Sequence, residues 1–142
     1  MSGLSRFLKQ NKKERKNYKL KVSRLFTDEK GNLMEWEFKP LTSKEVNRIR
    51  LDCTYEKPAK YGQTKHELNV NKYNTSLIVQ SCVFPDLKSV ELQDSYNVKN
   101  EFDLINAMLT DPGEYQDLVL KIQEMNHLLD NNLNEKIKEA KN

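Results

Sequence analysis

The side chains able to do chemistry in this 142-residue chain are few and scattered. Cys53, Cys82, His66 and His127 are its cysteines and histidines. A zinc site needs about four such ligands held at close spacing. These residues form no such pattern, so no metal site and no cofactor are expected. Neither histidine sits in a Ser/His/Asp or Cys/His signature of nucleophilic catalysis. The four glycines are isolated, which excludes a Gly-rich phosphate loop. The acid pairs Asp28/Glu29 and Glu35/Glu37 have the type for acid–base work. They fall in a turn and on an exposed strand face, where paired acids are usually solvated rather than pKa-shifted. His66 reads as exposed in a lysine-rich loop, and His127 as a helix-end residue. The chain is therefore not expected to be an enzyme. Two cysteines are also too few for a disulfide framework, and both read as buried thiols in a reducing compartment.

Composition points the same way. At 37% hydrophobic and 32% charged residues, the chain is polar yet able to bury a modest core. No apolar run approaches the roughly 20 residues that span a bilayer. The start, MSGLSRFLKQ, lacks the apolar centre of a signal peptide, so a cytoplasmic protein is expected. The net charge of +3 hides an asymmetry. Arg6 to Arg24 holds nine basic residues and one acid, Glu14. Fifteen basic and twenty acidic residues remain, so a segment of +8 precedes a body of −5. That segment is either a solvated arm or a contact for an acidic protein or a nucleic acid.

Apolar periodicity places these residues on elements. LSRFLKQN reads as a short amphipathic turn and NKKERKN as exposed. In YKLKVSRLF and LMEWEFKPL, apolar and charged residues alternate with period two, the pattern of half-buried strands. TDEKGN between them, with Gly31 suited to positive φ, makes a β-hairpin. Its lysines and glutamates share the outer face, and Tyr18, Phe26 and Trp36 point to the core. TSKE at Thr42–Glu45 is a capping box, and Val46, Ile49 and Cys53 predict a helix over 43–56. KPAKYGQTKHE reads as a polar, mobile loop. A helix over 69–83, striped by Val70, Tyr73, Leu77 and Ile78, stops before Pro85. Ser89 caps a short helical turn, with Tyr96 and Val98 anchoring its exit. Asn100 begins a helix striped by Phe102, Ile105, Met108 and Leu109. Asp111-Pro112-Gly113-Glu114 is a strong helix start, leading to a helix that ends near Leu129 with Tyr115, Leu118, Ile122 and Met125 inward. The expected architecture is α+β: an N-terminal antiparallel β-hairpin packed on four to five helices. It forms one domain over 1–129, with a basic arm at 1–17 and a charged tail at 130–142.

The stretches LSRFLKQN, EWEFKPLTSKE, SCVFPDLKSVELQDSYNV and MLTDPGEYQDLVLKIQEMN, in this order, resemble the phage XkdN-like tail assembly chaperones of contractile-tailed phages and PBSX-like prophages. The resemblance runs from about Leu4 to Asn126. VFPDL…ELQDSYNV followed by LTDPGEY is its most specific part, and the tail from His127 onward carries none of it. The family implies a protein that binds the tape measure protein, the long aggregation-prone helical chain that sets tail length. Such a chaperone keeps its client soluble, presents it to tail tube subunits and is absent from the mature virion. In many phages a translational frameshift makes a longer form that recruits tail tube protein, and self-association into a homo-oligomer is a further expectation. The family has no catalytic motif.

A chaperone of an apolar client needs an accessible apolar groove, and residues in excess of simple stripes nominate it. Phe7 and Leu8 on the arm, Leu104 and Met108 on one helix, and Val119, Leu120 and Leu128 on the next are the candidate partner-binding residues. The groove is expected between the 100–109 and 113–129 helices or beside Phe7/Leu8. The alternative is a small basic nucleic-acid-binding module of a prophage, resting on the charge of the arm.

Overall fold

The computed structural model describes residues 3–128. After two exposed 3-10 turns, Gly3–Phe7 and Lys9–Asn11, strand β1 (Tyr18–Leu20) pairs antiparallel with β2 (Trp36–Phe38). This is the expected hairpin, and its register sets Lys19 opposite Glu37. Its strands are shorter than the alternation predicts. The ladder ends after Leu20, and the chain beyond it turns to α5, where Ser23 Oγ and the Arg24 amide both donate to the Glu114 carboxylate at 2.8 Å. Pairing resumes at the tip, where Thr27 bridges Leu33 and Met34 N donates to Phe26 O at 2.9 Å. Gly31 closes that turn at φ 85°, a conformation that glycine adopts without strain.

Helix α1 (Ser43–Asp52) starts at the full Thr42/Glu45 capping box and buries Val46 and Ile49. The stretch read as a mobile loop is instead a second hairpin, β3 (Thr54–Pro58) and β4 (Thr64–Leu68). It has no buried face, so no alternation marks it in the sequence. Its bend is made by Tyr61 and Gly62 at positive φ, and its base is closed by Asn69 N donating to Cys53 O at 2.8 Å. Helix α2 (Val70–Ser81) follows. It ends two residues sooner than expected, and Cys82–Phe84 form strand β5. Pro85 forces Phe84 into extended backbone, and the strand completes a sheet of order β1-β2-β5.

Ser89 caps α3 (Val90–Ser95), Asn100 caps α4 (Glu101–Met108) and Asp111 caps α5 (Pro112–Met125), with Pro112 in the first turn. Each cap is legible in the sequence. The chain is thus α+β, an N-terminal hairpin packed with five α-helices among the described residues. Helix α2 lies at the centre, against α1, α4 and α5. Leu77 and Ile78 from it meet Phe38, Leu104, Ile105 and Ile122 in the interior. The hydroxyls α2 buries are satisfied locally: Ser76 Oγ donates to Lys72 O at 2.7 Å and Ser81 Oγ to Leu77 O at 2.6 Å. Two stripe positions turn outward: Val70 on α2 and Met125 on α5 are exposed.

Candidate interaction surface

The seven residues nominated for partner binding separate into two sets. Leu104, Met108 and Val119 are 0%, 5% and 4% exposed, and all three belong to the core. These positions are closed to solvent, because the excess apolar residues are consumed by core packing around α2. Leu128 packs partly against the same core. Phe7, at 84% exposed, and Leu8 on the arm stay open to solvent, as does Leu120 on α5.

The aromatics of the first hairpin face inward, as their alternation with charges predicts. Trp36 is 2% exposed. Its ring lies 6.1 Å edge-on from Phe26 and 6.5 Å stacked from Phe38, and Tyr18 stacks on Phe38 at 5.7 Å. These four rings face one another and the core.

Three adjoining clefts form a trough beside α1. Its first part lies between the arm (Lys9, Lys12, Lys13) and Pro40 and Thr42. The second shares Arg15 and Thr42 with the first, and runs between Val46 and Arg50 of α1 and the end of α5, at Asn126 and Leu128. The third shares Ser43 and Asn47 with the second and covers the outer side of α1, at Lys44, Arg48 and Leu51. Lys44, Asn47, Arg48 and Leu51 recur at i, i+3, i+4 and i+7, so one helix face presents all four. That stripe has a signal in the sequence, a helical spacing opposite the apolar stripe Val46/Ile49/Cys53. Being mostly polar, it gives no hydrophobic period to draw attention to it. Arg15 anchors the arm by donating to Leu41 O. Leu41 N in turn donates to Asn126 Oδ1 at 2.8 Å, tying the trough's floor to the C-terminal end of α5.

Four ion pairs form among the described residues. Ion pairs join Arg24 to Asp111 (3.0 Å), Lys39 to Glu45 (3.5 Å), and Lys57 and Lys65 to Glu67 (3.8 and 3.3 Å). Among the described residues, none of these pairs engages Lys9, Lys12, Lys13, Lys44, Arg48 or Arg50. The Thr42 backbone amide, the Thr42 hydroxyl and Lys39 hold the Glu45 carboxyl below the usual glutamate range. On the second hairpin, the Tyr55 hydroxyl and Lys65 lower Glu67, and Glu67 raises Tyr55. Backbone amides around the first hairpin's tip, Asn32 foremost, lower Asp28. Burial, with help from Asp86, pushes the Cys82 thiol up to about 12, so it stays protonated and unreactive at neutral pH. Cys53 is buried beside Ser76 Oγ at 3.7 Å. No cluster of three or more His, Cys, Asp or Glu able to hold a metal ion occurs among the described residues. No helix among them is long and apolar enough to cross a membrane.

The class of protein is therefore an α+β chain with a closed helical core and its polar, cationic features turned outward. The chain belongs to the family of phage XkdN-like tail assembly chaperone proteins, whose family model matches residues 4–141. The match extends through the Asn- and Lys-rich end, which the sequence motifs alone leave outside the resemblance. The chain is 27% identical over 139 residues to the phage-like element PBSX protein XkdN of Bacillus subtilis, covering 98% of this chain and 93% of that protein. It is 26% identical to the protein YqbN of the same organism, with the same coverage. The crystal structure of YqbN superposes with a TM-score of 0.75 at 22% identity, covering 92% of this chain and 99% of that one. At that identity the superposition establishes the fold.

Proposed function

We infer that this chain binds the tape measure protein of its phage or prophage, keeps that helical client soluble and promotes assembly of the tail tube around it. The observation that supports it is membership of the tail assembly chaperone family across residues 4–141. The physical features are compatible. A chaperone coating a long apolar client needs a charged exterior and accessible apolar side chains, and Phe7, Leu8, Leu51 and Leu120 are exposed on a surface otherwise rich in charge. In this reading it is a binding protein, not an enzyme. It acts in the bacterial cytoplasm and is absent from the mature virion. A longer frameshifted form contacting tail tube protein belongs to the same reading.

The test is co-expression with the tape measure protein encoded in the same tail operon. The client is expected to move from the pellet to the soluble fraction and to co-elute at moderate salt with several copies of this chain. A client that precipitates regardless, while this protein elutes alone, overturns the reading. The nucleic-acid alternative retains one supporting observation, the basic arm. Against it stand the inward-facing rings of the first hairpin: Trp36 is buried and Tyr18 and Phe26 are partly buried against the core.

A further inference from the structure

The geometry points to the trough along α1 as the docking site for an acidic amphipathic helix, which under the chaperone reading is a segment of the client. Only the partner's identity rests on that reading. Three observations carry the inference. The first is continuity: the first and second clefts share Arg15 and Thr42, the second and third share Ser43 and Asn47, and so they follow one another from the arm along α1. The second is composition. Leu41, Val46 and Leu128 form the base of the middle cleft, the first two buried, and Leu51, 75% exposed, lines the third cleft. The third is charge. Lys12, Lys44, Arg48 and Arg50 are among seven basic residues that line the trough, against two acids. The lining acids are Glu14 and Asp52.

An apolar floor with cationic walls matches a helix that carries an apolar stripe flanked by carboxylates. Helix-in-groove docking reads such a stripe at i, i+3, i+4 and i+7, the spacing α1 presents with Lys44, Asn47, Arg48 and Leu51. Opposite charges then set orientation and partner choice. Nucleic acid would use the cations but leave Leu51 and the floor unpaired, so the helix is favoured.

The experiment titrates the full chain with a labelled synthetic helix bearing leucines at i, i+3, i+4 and i+7 and glutamates elsewhere. Saturable binding is expected, weakening only several-fold with moderate salt. The double variant Lys44→Glu/Arg48→Glu should lose about tenfold or more in affinity, because paired attraction becomes repulsion. Leu51→Asp should weaken binding independently. Lys88→Glu/Lys99→Glu changes the net charge equally, away from the trough, and should bind as wild type. Circular dichroism confirms that each variant is folded. Equal binding by the trough variants, or equal binding of a helix with lysines replacing the glutamates, overturns the proposal. So does a preference for duplex DNA with the steep salt loss, about a thousandfold or more between 50 and 200 mM, of phosphate contacts. Binding that appears only after residues 129–142 are removed assigns the trough to the chain's own tail and overturns it too. Self-association abolished by the same reversals assigns the trough to a second copy, and this also overturns the proposal. The co-expression assay separates the two readings. A client solubilised equally by Lys44→Glu/Arg48→Glu removes the trough and leaves the chaperone. A model helix bound by wild type beside an insoluble client leaves the trough and removes the chaperone.

Discussion

Asn126 does more for this fold than its type suggests. It caps α5, is 9% exposed, and its Oδ1 accepts from Leu41 N at 2.8 Å across 85 residues of chain. Nothing in the sequence marks it, because an asparagine at a helix end is ordinary. Asn126→Leu removes the acceptor of a buried amide, and a buried unsatisfied donor costs about 1–3 kcal/mol. A loss of that size is expected in urea unfolding, with an unchanged m-value. The Thr42/Glu45 capping box, by contrast, is readable from four residues. Thr42→Ala should cost about 1 kcal/mol. Glu45 also sets a pH dependence. Its folded pKa lies below the ordinary value. Its contribution is thus complete above the ordinary glutamate pKa and is lost as pH falls through the lower folded one. Glu45→Gln should flatten that acid limb in a series of thermal melts, leaving the neutral side of the curve parallel to wild type.

At the scale of elements, the two hairpins behave in opposite ways. The first is legible because one face is buried, so hydrophobic alternation declares it. The second has exposed residues on both faces and is stabilised by five paired positions, its turn, and the cluster of Tyr55, Lys57, Lys65 and Glu67. An isolated two-stranded ribbon is marginal in water, and Lys57 sits directly opposite Lys65, a like-charge pair that weakens it. Replacing residues 55–67 by a short Gly-Ser link, keeping the Asn69–Cys53 backbone bond, is therefore expected to shift the unfolding midpoint by only a few degrees. Native-state hydrogen exchange should show 54–68 opening at far lower free energy than α2. Protection of the hairpin equal to that of α2 would contradict this. Strand β5 escapes sequence reading for a different reason: Cys82–Phe84 is too short for any period, and its pairing partner β2 is more than forty residues away.

Over the whole molecule, the basic arm and the acidic body are distinct in role. Residues 3–14 contribute no buried side chain. Arg15 is the first to reach the body, donating to Leu41 O. A chain beginning at Arg15 should therefore unfold within a few degrees of the full one. It drops four basic residues and Glu14, leaving twenty of each sign. At zero net charge it should lose retention on a cation exchanger at neutral pH and self-associate more readily. A large fall in melting temperature would show that the arm packs.

Much of this protein is written in local sequence. The caps at Thr42, Asn69, Ser89, Asn100 and Asp111 act within one helical turn, so three or four residues suffice to specify them. The first hairpin and the stripes of the helices declare themselves by period, and family motifs spread along the chain declare its kinship. Which apolar residues remain exposed was a tertiary decision. Leu104, Met108 and Val119 look the same in sequence as Leu51 and Leu120. Burial depends on which helix faces meet, and α2 at the centre consumes the first three while nothing in the described chain covers the others. The trough is tertiary for the same reason, since the arm, α1 and the end of α5 are far apart in sequence and only folding sets their cations around one apolar floor.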